Sequence, residues 1–298
     1  MKKYLTPNDF IVIVFYIFLT IMNIIFHQRI QVFHYLIAVN IVIVIIVFLL
    51  AKYKDVNKIL HFLHAWYVVP MIFLTFKELY FMIHPIHQRD YDNILIAIDR
   101  FLLFGNDITH LLYKISHPIL TEILQIAYFS FYLIMIAVGA ELRLKNRINE
   151  FHFAVFMIVY GFFLSYFGYF TLPAIGPRFT LHDFNNLNNE IPGIFITNIL
   201  REIINAGESI PGGTLNPAAV VQRDVFPSGH TQMTLICMYL AKKFDLKIKW
   251  IVYILGILLI FATMYLRYHY LIDILAGTLF FIITIKTGWK LYKKLSLI

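Results

Sequence analysis

Charged side chains are scarce in this sequence of 298 residues. Asp, Glu, Lys and Arg make up 14% of the chain, whereas 60% of it is hydrophobic and 17% aromatic. A soluble domain is typically about 25% charged and about 45–50% apolar, so this chain lacks the polar side chains that would cover a water-facing surface. The composition excludes a soluble enzyme, a disordered chain and a nucleic-acid-binding protein, despite the net charge of +8.

Cysteine is almost absent as well, because Cys237 is the single one, and no internal disulfide can form. What the chain has in abundance is long apolar runs. A membrane helix needs about 20 such residues, and lipid offers no partner for backbone polar groups, so these runs must be helical. We predict an all-α fold, a polytopic membrane bundle of about eight transmembrane helices. The predicted spans are 10–26, 32–51, 62–81, 119–140, 151–172, 231–241 extended at its start, 250–266 and 270–285.

Lysine and arginine are distributed unevenly between the two ends of these spans. Threading the chain through eight spans puts 16 of its 25 Lys and Arg on one side, with 5 of its 17 Asp and Glu. Basic loops stay on the cytoplasmic side, so both termini are predicted to be cytoplasmic. The abundance of Ile, Lys, Asn and Phe is typical of an AT-rich genome and favours a bacterium. The predicted location is then the inner membrane, with the opposite face periplasmic or external; in a eukaryote that face is luminal.

Two long segments, 84–118 and 179–227, lie on this outer side. Each contains an amphipathic stretch with apolar residues at helical spacing, at 94–104 and 196–204. We predict two interfacial helices that cover a site, and a simple surface tether is an equally open interpretation.

Three polar clusters are predicted to meet at this outer face. They are Leu-Pro-Ala-Ile-Gly-Pro-Arg at 172–178, Phe-Pro-Ser-Gly-His-Thr at 226–231 and Arg-Tyr-His-Tyr-Leu-Ile-Asp at 267–273. Polar residues at the ends of membrane spans are the informative ones in a membrane protein, and their predicted convergence indicates a functional site.

The third cluster contains a histidine and an aspartate four residues apart. On a helix His269 and Asp273 share one face, so the carboxylate can fix the imidazole tautomer and leave the other nitrogen nucleophilic. A purely structural pair that caps a helix is the alternative. Metal binding is less favoured, because no third ligand stands at a recognisable spacing.

The first two clusters offer groups that suit a phosphate. Ser228 and the amide of Gly229 open a helix, where unpaired N–H groups attract anions, and His230 is placed to give a proton to a leaving group. Arg178 follows a Pro- and Gly-rich turn, and its planar fork matches two phosphate oxygens. The alternatives are an ordinary N-cap by Ser228 or Thr231, and an interfacial arginine that reaches lipid headgroups.

Taken together, Leu-Pro-x-x-x-Pro-Arg, Pro-Ser-Gly-His and His-x-x-x-Asp resemble the type 2 phosphatidic acid phosphatase superfamily. More narrowly they resemble its branch of inositol phosphorylceramide synthases and their bacterial relatives, which also carries upstream segments like 99–105 and 122–128. The resemblance covers about 91–288. It leaves 1–90 as N-terminal transmembrane helices outside it and 289–298 as a basic cytoplasmic tail.

The resemblance implies a metal-independent lipid phosphatase or lipid head-group phosphotransferase that needs no cofactor. His269 attacks phosphorus to give a phosphohistidine, oriented by Asp273, and His230 protonates the leaving oxygen. The anionic oxygens are held by Arg178, Ser228 and Gly229. The implied partners are a lipid phosphate substrate and the surrounding membrane lipids, and the acceptor is either water or a hydroxyl group.

Two positions depart from the superfamily pattern. Thr171 stands where the first motif has a lysine, and Thr263 where the third has an arginine. Whether Arg267 replaces the missing arginine is open. The competing hypothesis is a non-catalytic transporter or membrane scaffold in which the three clusters are helix caps and ion pairs; buried charges such as Lys77, Glu78 and Glu122 would favour a transporter.

Overall fold

A computed structural model describes residues 4–297, and every regular element within this range is a helix. The helices are α1 Pro7–Ile25, α2 Phe33–Tyr53, α3 Lys58–Trp66, α4 Val68–His87, α5 Asp92–Leu102, α6 Ile108–Tyr113, α7 Pro118–Phe129, α8 Phe131–Leu144, α9 Ile148–Thr171, α10 Pro177–Thr180, α11 Leu187–Glu190 (after a 3₁₀ turn at Phe184–Asn186), α12 Thr197–Gly207, α13 Pro217–Val220, α14 Gly229–Lys243, α15 Lys249–Tyr265 and α16 Leu271–Ser296.

Five of these helices, α1, α2, α4, α9 and α16, are long and apolar enough to cross a membrane. The pair α7 and α8, bent by 49°, adds a sixth if it is counted as one broken span. α15 is apolar but has only 17 residues, and α14 has 15. Helices thus occupy all eight predicted places, and the predicted all-α membrane bundle is confirmed.

The third predicted span differs from the helix that the structure contains. The chain breaks at Tyr67, and the crossing helix is α4, which begins at Val68 rather than at residue 62. Pro70 explains the break, because its ring would clash with the carbonyl group of Trp66, four residues earlier, in a continuous helix. Proline is tolerated in the first turn of α4, where the missing N–H has no helical partner.

The core centres on α9, which packs against α1, α4, α8, α14 and α16. Three in four residues of its most apolar stretch are buried (78%), the largest share among the candidate spans. The N-terminal helices join the same core, since the ring of Phe15 stacks on that of Phe163 at 4.0 Å between centroids. A stacked aromatic pair adds about 0.5–1.5 kcal/mol beyond its buried area.

Both predicted amphipathic stretches are helical. α5 covers most of 94–104, and α12 covers all of 196–204 except residue 196, which caps it. The eighth predicted span continues past residue 285, because α16 runs to Ser296 and takes in most of the basic C-terminal segment.

Candidate active site

The second and third polar clusters meet through their backbones. The N–H of Ser228, just before α14, donates to the carbonyl oxygen of Asp273 in the first turn of α16 at 3.0 Å. Gly277 permits this approach, because a Cβ atom there would lie 2.5 Å from the carbonyl oxygen of Ser228. The starts of α14 and α16 are therefore joined side by side.

The first cluster packs against the turn that precedes α16. The N–H of Arg178 donates to the carbonyl oxygen of Arg267 at 3.1 Å. Gly176 has a φ of +95°, and a Cβ atom there would lie 2.8 Å from the carbonyl oxygen of Tyr268. Only glycine combines that dihedral with so close an approach. The three clusters that are far apart in sequence therefore converge at one end of the bundle.

Two aspartates of α5 form hydrogen bonds with the first and third clusters. The carboxylate of Asp92 accepts hydrogen bonds from the N–H groups of Ile175 and Gly176 and from the hydroxyl of Tyr270, at 2.8–3.0 Å. Burial raises the pKa of Asp92, and these donors oppose the rise.

Asp99, two turns further along α5, caps α16. Its carboxylate accepts the N–H groups of Leu271 and Ile272 at 2.7 and 2.8 Å. An acidic group at a helix N-terminus satisfies unpaired donors and complements the helix dipole. The sequence places Asp92 and Asp99 on the polar face of an amphipathic helix, and the structure adds that this face fastens two clusters together.

His269 is nearly buried, with 3% of its surface exposed, between two polar partners. Its Nε2 lies 3.4 Å from Nδ1 of His230, and its Nδ1 lies 3.4 Å from Oδ2 of Asp273. The latter contact is not aligned as a hydrogen bond. Asp273 Oδ2 instead accepts the N–H of Tyr270 at 2.7 Å. Burial lowers the pKa of His269 well below its usual value, so the imidazole is neutral and has a free lone pair.

His230 is held in place by aromatic rings. Its imidazole stacks on Tyr128 of α7 with 4.6 Å between centroids, and Phe131 of α8 lies 4.3 Å away on a tilt. Tyr128 also stacks on Tyr268 at 4.3 Å. A ring packed in this way has few alternative rotamers, so His230 keeps its nitrogen directed at His269.

Arg178 lies buried at the rim of the same site, with 2% of its surface exposed. Its guanidinium lies over the ring of Tyr268, donates to Oδ1 of Asn205 at 3.0 Å and forms an ion pair with Glu208. Glu208 directly follows α12, so this predicted interfacial helix supplies a carboxylate to the edge of the arginine where a phosphate is expected.

A small space lies where these groups meet. It has room for about 10 Å³, and its walls include His230, His269, Arg178, Glu208 and Asp224. A volume of this size corresponds to about one water molecule. Burial raises the pKa of Asp224 to about 7, and the charge of Arg178 opposes the rise. Glu208 and Asp224 are not among the site residues predicted from the sequence; the one signal for Asp224 is its position four residues before Ser228.

The other predicted binding groups have different surroundings. Ser228 is buried, and its Oγ accepts the N–H of Thr231 at 3.2 Å, which is the N-cap that the sequence offered as an alternative. Gly229 lines a larger neighbouring cavity together with His230. The structure thus brings His269, His230, Asp273 and Arg178 together, and Gly229 and Ser228 precede His230 by one and two residues at the start of α14.

The two positions that depart from the superfamily pattern, Thr171 and Thr263, contribute no charged side chain to the site. The hydroxyl groups of Thr171 and Thr263 donate to carbonyl oxygens of their own helices, at Gly168 and Ile260. Arg267 has the left-handed φ of 68° and pairs with Glu190, away from both cavities described above. In this arrangement Arg267 does not replace the missing arginine.

Within residues 4–297, no group of three or more His, Cys, Asp or Glu side chains is placed to hold a metal ion. Among the side chains that the structure brings together, His269 and His230 are imidazoles, and Arg178 is a cation that can bind an anion. Imidazole and guanidinium groups of this kind can take part in phosphoryl transfer.

Comparison with known proteins places the chain in a family. The family model described as PAP2 superfamily matches residues 93–287, well over half of the chain. Neither a search of curated proteins nor a search of solved structures gave a match. The matched range includes all three polar clusters and all of α5 except its first residue, Asp92, and it begins after α4. The chain belongs to the PAP2 superfamily, and this membership indicates a phosphatase-type enzyme.

Proposed function

We propose that this protein is a metal-independent lipid phosphatase or lipid head-group phosphotransferase that forms a phosphohistidine on His269 at the extracytoplasmic face of a bacterial inner membrane. The observation that carries the proposal is the setting of His269, whose two ring nitrogens lie 3.4 Å from Asp273 and from His230. One nitrogen thus has a carboxylate to stabilise positive charge, and the other has a partner that can move a proton.

In the first step Nε2 of His269 attacks phosphorus. An N–P bond forms, the P–O bond to the lipid breaks, and the leaving oxygen takes a proton from His230. The imidazole becomes positively charged, and Asp273 stabilises that charge through the adjacent Nδ1–H. The two imidazoles now lie at hydrogen-bond distance, so a phosphoryl group requires them to move apart.

In the second step a hydroxyl group attacks the phosphohistidine. His230 takes the proton of the attacking hydroxyl, a new P–O bond forms and the N–P bond breaks. Water as the acceptor makes the protein a phosphatase, and a lipid or sugar hydroxyl makes it a transferase. The resemblance of 99–105 and 122–128 to the inositol phosphorylceramide synthase branch favours the transferase.

Arg178 is the main group for the anionic oxygens in this proposal. Its fork now engages Glu208, and a phosphate would take the place of that carboxylate. Ser228 can serve two partners, because its oxygen accepts from Thr231 while its O–H donates to a phosphate oxygen. Preformed donors aimed at developing charge supply most of the acceleration in such reactions.

The test uses purified protein in detergent with EDTA, supplied in turn with phosphatidic acid, a prenyl diphosphate and phosphatidylinositol. The matched control is His269→Ala. Free phosphate from the wild type alone supports the phosphatase, and a changed lipid without free phosphate supports the transferase. Turnover that is equal in the two proteins, or absent from both with a wider panel of lipids, overturns the proposal and favours a transporter or scaffold.

A further inference from the structure

A cavity of about 400 Å³ adjoins the small space between the histidines. The two spaces share Tyr128, Glu208, Asp224 and His230 as walls. The larger cavity therefore opens directly onto the candidate site. Its size falls within the range of about 300–1,000 Å³ that is common for small-molecule sites.

The lining of this cavity changes character from one end to the other. Apart from tyrosines, its polar side chains are Lys77, Glu208, Asp224 and His230, and the last three also line the small space of the site. The remaining walls are aromatic and aliphatic and come from α4, α7, α8, α9 and α12, among them Phe73, Phe76, Tyr132, Leu133, Tyr166 and Ile203. A cavity with a polar end and long apolar walls fits a molecule that has an ionic head and a hydrocarbon tail.

Several apolar side chains that line the cavity are also exposed on the outside of the bundle. The most exposed are Leu133 of α8 at 58%, Ile203 of α12 at 51% and Phe73 of α4 at 42%. Between α4 and α8 the wall consists of side chains, since the ring of Phe73 contacts that of Tyr132 at 4.4 Å between centroids. An exposed apolar side chain on a membrane helix faces lipid, so this side of the cavity adjoins the bilayer.

The wall from α4 comes from outside the range that the family model matches. Lys77 links α4 to the C-terminal end of α12 through hydrogen bonds. Its Nζ donates to the carbonyl oxygen of Gly207 at 2.6 Å and to Oγ of Ser209 at 2.9 Å. A cation at the C-terminus of α12 complements the helix dipole, and the two partners of Lys77, Gly207 and Ser209, flank Glu208 in the chain.

We infer that this cavity binds the hydrocarbon tail of a lipid phosphate, which enters from the bilayer between α4 and α8 and presents its head group to His230. The N-terminal helix α4 is then part of the substrate site. The inference rests on the proposed function for the identity of the head group. The occupancy of the cavity by a tail is a separate matter and can be measured without turnover.

The binding test uses the His269→Ala protein in nanodiscs with a phosphatidic acid that carries a diazirine in its acyl chain. After illumination, the labelled peptides are identified by mass spectrometry. We expect labels on α4 and α8 near Phe73 and Leu133 that excess unlabelled phosphatidic acid removes. Phosphatidylcholine with the same chains should leave them. Labels that both lipids remove equally, or labels confined to other helices, overturn the inference.

A kinetic test uses two matched leucine substitutions. Leu133 lines the cavity and is 58% exposed, whereas Leu74 of α4 is 54% exposed and does not line it. Leu133→Trp should raise KM for a long-chain lipid phosphate about tenfold, as expected when about two methylene groups lose their burial. With a short-chain analogue it should change little, and Leu74→Trp should change neither.

Failure of the proposed function and failure of the cavity assignment give different results. If no lipid phosphate shows His269-dependent turnover but the diazirine lipid labels α4 and α8 with the expected competition, the proposed function fails and the cavity assignment stands. If turnover depends on His269 while Leu133→Trp and Leu74→Trp behave alike, the enzyme stands and the tail site is overturned.

Discussion

Two buried histidine–aspartate pairs occur in this protein, one in the N-terminal helices and one in the candidate site. Asp9 and Asp273 each occupy the third position of a helix, α1 and α16, and each accepts the backbone N–H of the residue that precedes the helix at 2.7 Å. His64 lies 3.1 Å from Asp9, and His269 lies 3.4 Å from Asp273. The same local arrangement of aspartate, helix start and histidine therefore occurs in both places.

The two pairs differ in what surrounds them. The carboxylate of Asp9 also accepts the hydroxyl groups of Thr6 and Tyr67, at 2.8 Å each, so its acceptor capacity is used. In the candidate site Oδ1 of Asp273 and Nδ1 of His269 are buried without an aligned partner. Buried polar groups without partners are costly and call for an explanation. A satisfied pair stabilises the fold, whereas an unsatisfied pair beside a cavity is available for chemistry.

Replacing each of the two histidines by alanine, in separate variants, should give the largest difference between the two pairs. His269→Ala should lower kcat/KM by at least about a thousandfold, because the nucleophile is lost. His64→Ala should leave activity per folded molecule almost unchanged and destabilise the protein by about 1–3 kcal/mol, because Asp9 loses a buried partner. Activity assays and thermal unfolding in detergent measure both effects. Equal losses of activity at unchanged stability would refute the distinction.

A pair of buried arginines gives the next largest effect. Arg178 lines the site, and Arg201 binds Asn188 and the carbonyl oxygen of Ile191 outside it. Arg178→Lys should lower kcat/KM about a hundredfold, because an ammonium cannot grip two phosphate oxygens in one plane. Arg201→Lys should change it by less than about threefold, since its partners are neutral oxygens. Comparable losses in the two variants would mean that Arg178 acts only through packing.

Substituting the two glutamates near α12 should give a smaller effect, and an improvement in substrate binding instead of a loss. Glu208 forms an ion pair with Arg178, whereas Glu202 is exposed on the same helix. Glu208→Gln should lower KM for a lipid phosphate about three- to tenfold, because substrate no longer competes with a carboxylate. Glu202→Gln should leave KM unchanged. A raised KM in Glu208→Gln would show that the glutamate positions Arg178 instead of competing for it.

The smallest expected effect concerns pH. Because the pKa of Asp224 is raised to about 7, the group is neutral below this pH and negatively charged above it. KM for an anionic lipid should therefore rise by a few-fold as the pH increases through about 7, as the charge of Asp224 repels phosphate. The comparison with Asp224→Asn removes the contribution of the substrate's own ionisation. Identical pH profiles for the two proteins would contradict this role.

The residues that the sequence could indicate are those whose spacing carries information. His269 and Asp273 stand one helical turn apart, and the distribution of Lys and Arg brings their cluster to the same predicted face as Arg178 and His230. In the structure, backbone hydrogen bonds join the three clusters.

The residues that the sequence could not indicate depend on how loops fold back. Glu208 reaches Arg178 only because α12 lies over the site. Neither the spacing of Glu208 from other residues nor the composition of its segment indicates that position. The same holds for Lys77, whose partners are 130 and 132 residues away. The break at Tyr67 is different, since Pro70 provided a local signal for it.

The bonds of α5 have a consequence for the order in which the protein is made. Asp92 and Asp99 leave the ribosome early, whereas Tyr270, Leu271 and Ile272 follow them by 172 to 178 residues. Until α16 inserts, both carboxylates lack these partners. The candidate site is therefore completed only once α16 has been made. A chain truncated before α16 lacks Asp273 and the partners of Asp99, whereas Asp92 keeps the N–H groups of Ile175 and Gly176. Such a fragment would present Asp99 without its backbone donors to the quality-control machinery of the membrane.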